Sequence, residues 1–312
     1  MTVIVISGGL SHERDVSLRS GRRVTQALRA AGHTVVESDV GTELVGMLQS
    51  THDPVVVPML HGGMGEDGAL REVLGLLGIP FVGAGGSASR LAFDKAIATK
   101  VVANAGLKVT DQVALPHDIF RELGAPALMQ ALGDRLGYPL MVKPSRSGSA
   151  LGALMVPDQG SLATALVGAY AYGPVAIVEQ FVLGTELAVT VLEGTDGVQA
   201  LPPVEIRPTS GVYDYEARYT AGSTRFVTPA ELPDEALHAA QALALASHEA
   251  LGLRHLSRTD MVVTTEGAPI FLEANVAPGM TETSLSPLAF EAAGMNLGGV
   301  FSSLIEIARG QR

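Results

Sequence analysis

The densest chemistry in this 312-residue chain lies in SRTDMVVTTEGAPIFLEAN, residues 257–275. Two strand-like runs flank Glu266 and Gly267, a turn-like pair, and predict a hairpin centred there. That register sets Asp260 opposite Glu273 and Arg258 opposite Asn275. Residues at i and i+2 share a strand face, so all four side chains point one way. Two carboxylates facing each other across a strand pair repel, and a divalent cation removes that penalty. Carboxylates and an Asn carbonyl are hard oxygen donors, suited to magnesium that keeps waters and bridges phosphates. Arg258 adds fixed positive charge where an oxyanion or phosphoryl group can sit. A solvated hairpin face accounts for the same charges. The apolar runs on both strands and the like-charge pairing favour the metal site.

Four further constellations carry polar chemistry. KPSRSGSALG, residues 143–152, presents Lys143 and backbone amides at the mouth of a Gly/Ser-rich turn. It is neither GxxxxGK[ST] nor GxGxxG, and alone it reads as an ordinary surface turn. SGGLSHERDVS, residues 7–17, and LHGGMGEDG, residues 60–68, each follow a predicted strand, where open parallel sheets bind ligands. Glu13 can hold a substrate ammonium there, or simply complement a helix dipole. His61 is a ligand contact or a hydrogen-bonded strand-end residue. YDYEARY, residues 213–219, packs three tyrosines and an arginine into an otherwise irregular segment. It is a lid motif, or an aromatic patch anchoring a loop. Lys95, Glu179 and Glu186 taken singly read as surface charge.

The elements that must position these groups form an α/β pattern. Strands at 3–7, 35–39 and 55–60 alternate with helices at 17–31 and 69–77, which implies a parallel sheet with helices on its faces. Gly32 is the expected stop for the first helix. A second unit opens near 93–100 and carries strands at 139–144 and 175–181 with a helix at 161–171 between them. Beyond Glu186 the strands lengthen. Residues 205–232 show no clear periodicity, and such a stretch in a compact domain reads as a lid or binding loop. A helix at 233–251, the hairpin and two closing helices from Ser286 complete the chain. The expected domains are 1–92, 93–180 and 181–312.

Composition bounds the function. Apolar residues make up 47% and charged residues 17%, enough for a packed core. A net charge of −11 argues against wrapping nucleic acid, although an acidic protein can focus a few cations in one cleft. The absence of cysteine excludes disulfides and thiolate chemistry. With no signal-like N-terminus and no membrane-length apolar run, the expectation is a cytoplasmic enzyme with no membrane partner.

In order and spacing, SHERDVSL, HGGMGEDG, FDKAIATK, KPSRSGS, VYDYEARY, RTD and FLEANVAPGMTETSL resemble the D-alanine–D-alanine ligases of the ATP-grasp superfamily, and the match runs through the whole chain. The resemblance implies an ATP-grasp fold preceded by an open parallel α/β domain, three domains in all. It also implies ATP between the second and third, two magnesium ions with manganese as a substitute, a homodimer, and a role in peptidoglycan precursor synthesis. Lys95 and Lys143 would bind the ATP phosphates, with Arg218 offsetting charge on the transferring group. The strand through Glu179, Phe181 and Val182 would take the adenine, and Glu186 the ribose. Asp260, Glu273 and Asn275 would hold the metals. Glu13 would receive the ammonium of the first D-alanine with His61 near its carboxylate, and Ser149 and Tyr219 would form a hydrogen-bonded network with Glu13. Arg258 and the Gly279 amide would stabilise a tetrahedral intermediate. Ser284 and Leu285 would bind the carboxylate of the second D-alanine.

The chain departs from the family pattern in three places. Arg218 stands where a lysine is usual, Ser147 and Ala150 replace Glu and Ser in the phosphate loop, and Thr259 replaces an apolar residue. Tyr219, where ester-forming members tend to carry phenylalanine, favours the dipeptide. Three other functions compete: an ATP-grasp ligase for another amino or hydroxy acid, a nicotinamide oxidoreductase, and a nucleotide-binding regulator without catalysis. The lack of GxGxxG after the first strand counts against the second, and the intact Arg258, Asp260, Glu273 and Asn275 against the third.

Overall fold

The run Val3–Ile6 has no polar member, as a strand covered on both faces requires, and all four side chains are fully buried. A computed structural model describes residues 1–194, 197–209, 211, 213, 217, 220 and 222–310. Arg218 and Tyr219 lie outside the described residues. The first run is β1 (Thr2–Ile6), the centre of a parallel sheet ordered β2–β1–β3, with β2 (Val35–Ser38) and β3 (Pro54–Pro58). Around it lie α1 (Arg14–Ala30), α2 (Leu44–Ser50), α3 (Ala69–Leu76) and α4 (Gly86–Phe93). The first helix starts three residues before the predicted 17 because its opening turn is polar and carries no apolar periodicity. It stops where expected, with Gly32 at φ 91° just beyond it.

A second sheet is antiparallel, in the order β4–β7–β5–β6. It is reached through α5 (Lys95–Asn104), whose Ala98 and Val102 pack into the core of the next sheet. Its elements are β4 (Gln112–Pro116), α6 (Asp118–Leu123), α7 (Ala125–Leu136), β5 (Leu140–Pro144), β6 (Leu154–Val156), α8 (Gln159–Tyr170) and β7 (Val175–Gln180). The third sheet runs β11–β10–β8–β12–β13, with β9 also paired to β8. It is built from β8 (Thr185–Gly194), β9 (Gly197–Ala200), β10 (Val204–Pro208), β11 (Thr224–Val227), β12 (Leu256–Val263) and β13 (Pro269–Asn275). Helix α9 (Asp234–Ala250) precedes the hairpin, and α10 (Leu285–Ala292) and α11 (Leu297–Gly310) close the chain. The stretch 205–232 is therefore less irregular than its sequence suggests. Its ends pair as antiparallel strands, Glu205 with Val227 through Pro208 with Thr224. Pro208, which has no N–H to give a ladder, sits at the strand terminus where it is tolerated.

The alternation of β1 divides the first unit's core. Ile4 and Ile6 pack with Leu44, Leu48 and Leu74. Val3 and Val5 pack with α1 and α11, and that cluster continues through Phe301 and Leu304 to Ala188 and Ile206 of the third sheet. The last helix thus covers the first sheet, so the first and third units share one apolar core. The second sheet keeps its own, drawn from Leu132, Leu140, Val142 and Val178. Among the described residues, no single helix is long and apolar enough to cross a membrane.

Phe301 is fully buried where the two units meet. Phe301→Ala is expected to cost about 3–5 kcal/mol, read as a lower urea midpoint in equilibrium unfolding. His248 of α9 is held against Ser257 Oγ at 2.7 Å, and burial pushes its pKa down to about 4. The unfolded chain takes up this proton near pH 6.5 and the folded chain does not, so stability is full above pH 6.5 and falls as pH drops towards 4. By pH 5 the loss from His248 is about 2 kcal/mol. In His248→Gln the unfolding free energy should fall less steeply across that window, by up to one proton.

Candidate active site

The hairpin places Arg258 opposite Asn275 and Asp260 opposite Glu273, although its turn differs from the predicted one. The turn spans residues 264–268, closed by Thr264 N–H to Ala268 O at 3.0 Å and Gly267 N–H to Thr264 O at 2.9 Å. Near the tip Met261 pairs with Phe271 and Val263 with Pro269. The register shifts between Asp260 and Met261, leaving Leu272 as an extra residue on β13. Without that bulge Asp260 would face Leu272, and Glu273 would point to the other side of the sheet.

Asp260 is buried and Glu273 half-buried, so setting them face to face requires compensation, and two cations supply it. Arg258 donates Nε and Nη2 to Asp260 at 2.6 and 2.7 Å, a bidentate pair buried on both sides. Burial alone would lower the Arg258 pKa, but Asp260 and then Glu273 outweigh it, and the guanidinium is held above its ordinary value. Lys95 Nζ lies 3.1 Å from Glu273 Oε2 and also donates to Ser147 O. Asn275 Oδ1 accepts from Ala277 N–H at 3.0 Å. Among the described residues no three His, Asp or Glu side chains form a closed metal cage. The donor set is instead two carboxylates and an amide, each oxygen with a further lone pair, which suits an ion completed by water and phosphate. Thr259 faces the opposite side, buried, with its hydroxyl unpartnered.

Asp260 and Glu273 line a cleft of about 440 Å³ between the second and third sheets. Lys95, Lys143, Glu179, Phe181, Val182 and Glu186 line it too, so the predicted nucleotide residues other than Arg218 converge on one cavity. Met141, Val262 and the bulged Leu272 give it apolar walls. Lys143 Nζ pairs with Glu179 Oε1 at 2.6 Å, and Thr110 donates to the other oxygen at 2.9 Å. Arg207, which sequence patterning did not single out, also lines the cleft and is held by Glu205 at 2.6 Å and Glu231 at 2.8 Å. Asp94 was equally silent, its one signal being an N-cap residue type before α5. It accepts from Ser145 Oγ at 2.6 Å and Arg146 Nε at 2.9 Å, tying the 143–152 loop to the helix that carries Lys95.

Glu13 stands at the N-cap of α1, yet its side chain makes no capping bond. It accepts instead from Ser149 Oγ, with Ser149 in the left-handed region at φ 54°. Gly62 leaves room for it, since a Cβ there would lie 2.6 Å from Glu13 Oε2. Beside it Glu66 is buried and accepts from Gly62 N–H at 3.0 Å. Burial, then the charge of Glu13, pushes the Glu66 carboxyl up to about 7. Only the density of polar residues in HGGMGEDG hinted at this second acid.

His61 is buried with both ring nitrogens engaged by protein, Nδ1 at 2.9 Å from Ala277 O and Nε2 at 2.9 Å from Ser20 Oγ. Of the two roles open for it, the structure displays hydrogen bonding at the strand end. Burial pushes its pKa down to about 4, so the ring is neutral at pH 7. Gly279 lies in the 276–284 loop, packed so that a Cβ would fall 2.8 Å from Ser284 Oγ. Ser284 accepts from Thr281 N–H at 3.1 Å and precedes Leu285, the buried first residue of α10.

Residues 101–306 match the family model described as D-ala D-ala ligase C-terminus. The chain is 38% identical to a D-alanine–D-alanine ligase of Pelotomaculum thermopropionicum, covering 99% of this chain and 96% of that one. Identity to one from Syntrophotalea carbinolica is 40%, over 97% and 93%. Two solved structures share the fold. The VanG D-Ala:D-Ser ligase from Enterococcus faecalis has a TM-score of 0.85 at 29% identity, over 98% and 99% of the two chains. A Bacillus anthracis D-alanine–D-alanine ligase complexed with ATP has a TM-score of 0.81 at 28% identity, over 99% and 97%. A whole-length match and a family model over about two thirds of the chain place this chain in the D-alanine–D-alanine ligase family of ATP-grasp enzymes.

Proposed function

We propose that this chain joins two D-alanine molecules through an acyl phosphate, consuming ATP and giving D-alanyl-D-alanine, ADP and phosphate. The observation that carries the reading is the facing pair Asp260 and Glu273 in a cleft that also holds Lys95 and Lys143. We divide the chain into units 1–92, 93–180 and 181–312, with ATP between the last two. A carboxylate is a poor electrophile. In the first step an oxygen of the first D-alanine carboxylate attacks the γ-phosphorus, and the bond to ADP breaks. Lys95 and Lys143 draw the phosphates into the cleft, and Glu13 receives the substrate ammonium. Asp260, Glu273 and Asn275 would hold magnesium, which neutralises phosphate charge when bound.

In the second step the amine of another D-alanine attacks the acyl carbon and loses a proton. The oxyanion that forms is met by Arg258 and the Gly279 amide, and phosphate leaves with the C–O electron pair. Asp260 holds Arg258 at Nε and Nη2, so this donor is oriented before the charge develops. Ser284 and Leu285, at the start of α10, receive the second carboxylate. Tyr219 in the network with Glu13 and Arg218 at the phosphates are further proposed roles, on residues outside the described set. Family membership is what supports a homodimer, the two metal ions and a place in cell-wall precursor synthesis. A second reading, ligation of D-alanine to D-serine, is favoured by the resemblance to the VanG enzyme.

Phosphate release from ATP should require D-alanine, and mass analysis should find the homodipeptide. D-alanine-independent turnover at the same rate would sink the ligase reading, and a mixed dipeptide as main product from D-alanine plus D-serine would favour the second. Arg258→Ala should lower kcat about 10²–10³-fold, measured by coupled ADP release. A normal rate in that variant would remove Arg258 from the oxyanion site.

A further inference from the structure

The loop between β13 and α10, residues 276–284, has no regular structure of its own, yet it carries the Gly279 amide. A glycine is the residue least able to fix its own backbone, so an amide aimed at an oxyanion must be held from outside. The hydrogen bonds around it run in one direction. The Ala277 carbonyl can only accept, so His61 Nδ1 bears the proton, and in the neutral ring Nε2 is an acceptor. Ser20 therefore donates its single proton to Nε2 at 2.9 Å, which leaves Ser20 Oγ to accept from Met280 N–H at 3.0 Å. Ala277 and Met280 are the two ends of the four-residue turn that contains Gly279. Ser20 comes from α1 and His61 follows β3, so two elements of the first unit close a clamp on a turn of the third. Ser20 and Met280 are fully buried and His61 nearly so. Arg23, one turn along α1, reaches the same turn, with Nη1 at 3.1 Å from Met280 O and 2.8 Å from Thr281 O.

We propose that Ser20 and His61, backed by Arg23, are positioning residues that hold the 277–280 turn so that the Gly279 amide faces the tetrahedral intermediate. The inference rests on the ligase reading above and deepens it. It gives His61 a different task from contact with the substrate carboxylate, because both ring nitrogens are spent on the clamp. The first unit then contributes to catalysis twice, through Glu13 at the substrate ammonium and through the clamp at the oxyanion. Directed bonds of this kind fix a donor to within fractions of an ångström, which is what transition-state complementarity demands.

The test uses full-length wild type, Ser20→Ala, Ser20→Thr and Arg23→Gln, with kcat and KM for ATP and D-alanine measured in each. A phosphinate dipeptide mimic of the tetrahedral intermediate is titrated alongside ADP. Ser20→Ala should lower kcat about 10- to 100-fold with the KM for ATP within twofold of wild type. Affinity for the phosphinate should fall in parallel while ADP affinity holds, and Ser20→Thr, which keeps the hydroxyl, should recover most of the loss. Arg23→Gln, at a partly exposed site, should lower kcat several-fold with the same pattern and serves if Ser20→Ala does not fold. An active wild type with unchanged kcat in Ser20→Ala or Arg23→Gln overturns the inference alone. So does a loss shared equally by ADP binding, which would mark general damage. A wild type that makes no dipeptide overturns the ligase reading and this inference with it.

Discussion

Two carboxylates facing each other across neighbouring strands, in the lining of a cleft, are the constraint around which the rest is arranged. At an effective dielectric of about 20, two like charges 4 Å apart repel by about 4 kcal/mol, and the burial of Asp260 removes part of the water that would screen them. The bidentate Arg258 grips Asp260 from the same strand, and Lys95 reaches Glu273 from α5. Losing Arg258 would leave the buried Asp260 carboxylate without its bidentate partner, where the cost is several kcal/mol. Strand β12 is buried along its whole length, which fixes Arg258 and Asp260 rigidly. The same arrangement that relieves the carboxylates also leaves a guanidinium and an ammonium lining or bordering the cavity. That electrostatic setting is the one a polyphosphate needs.

The way the three sheets are joined follows from this. The first and third share a continuous apolar core through α11, so they act as one body. The four strands of the second sheet have a separate core, whereas α5, which leads into that sheet, packs Ala98 and Val102 into the core of the third. The strands and the 143–152 loop meet the others through polar bonds, Ser149 to Glu13 and the Asp94 anchor of the loop. The four strands can therefore shift over the cleft without breaking their own hydrophobic core, while α5 stays packed on the third sheet. The apolar seam between the first and third units has the opposite consequence. It lets Ser20, Arg23 and His61 hold a loop more than 200 residues away in sequence.

Much of the architecture was legible in local pattern. The unbroken apolar run of β1, the glycine after α1 and the alternation along β12 and β13 each depend on residues a few places apart, and each predicted its element. Strands β4 and β6 and helices α6 and α7 were not legible. They are short or part-exposed, and α7 ends in glycine without a strong apolar stripe. The segment 205–232 looked aperiodic because β10 and β11 are brief and β10 ends in proline.

By itself the sequence determined the chemistry available: which acids, amides and cations exist, which of them alternate onto one strand face, and which sit at strand ends. What it left to the tertiary structure was their pairing. The Leu272 bulge, not the turn alone, sets Asp260 against Glu273. Whether Lys143 meets Glu179, whether Glu13 caps its helix or reaches Ser149, and what His61 binds were all open until the chain was packed. The reason is range. Periodicity and turn chemistry are written in neighbouring residues, whereas these contacts join segments 36 to 216 positions apart and exist only once the shared cores have brought their backbones together.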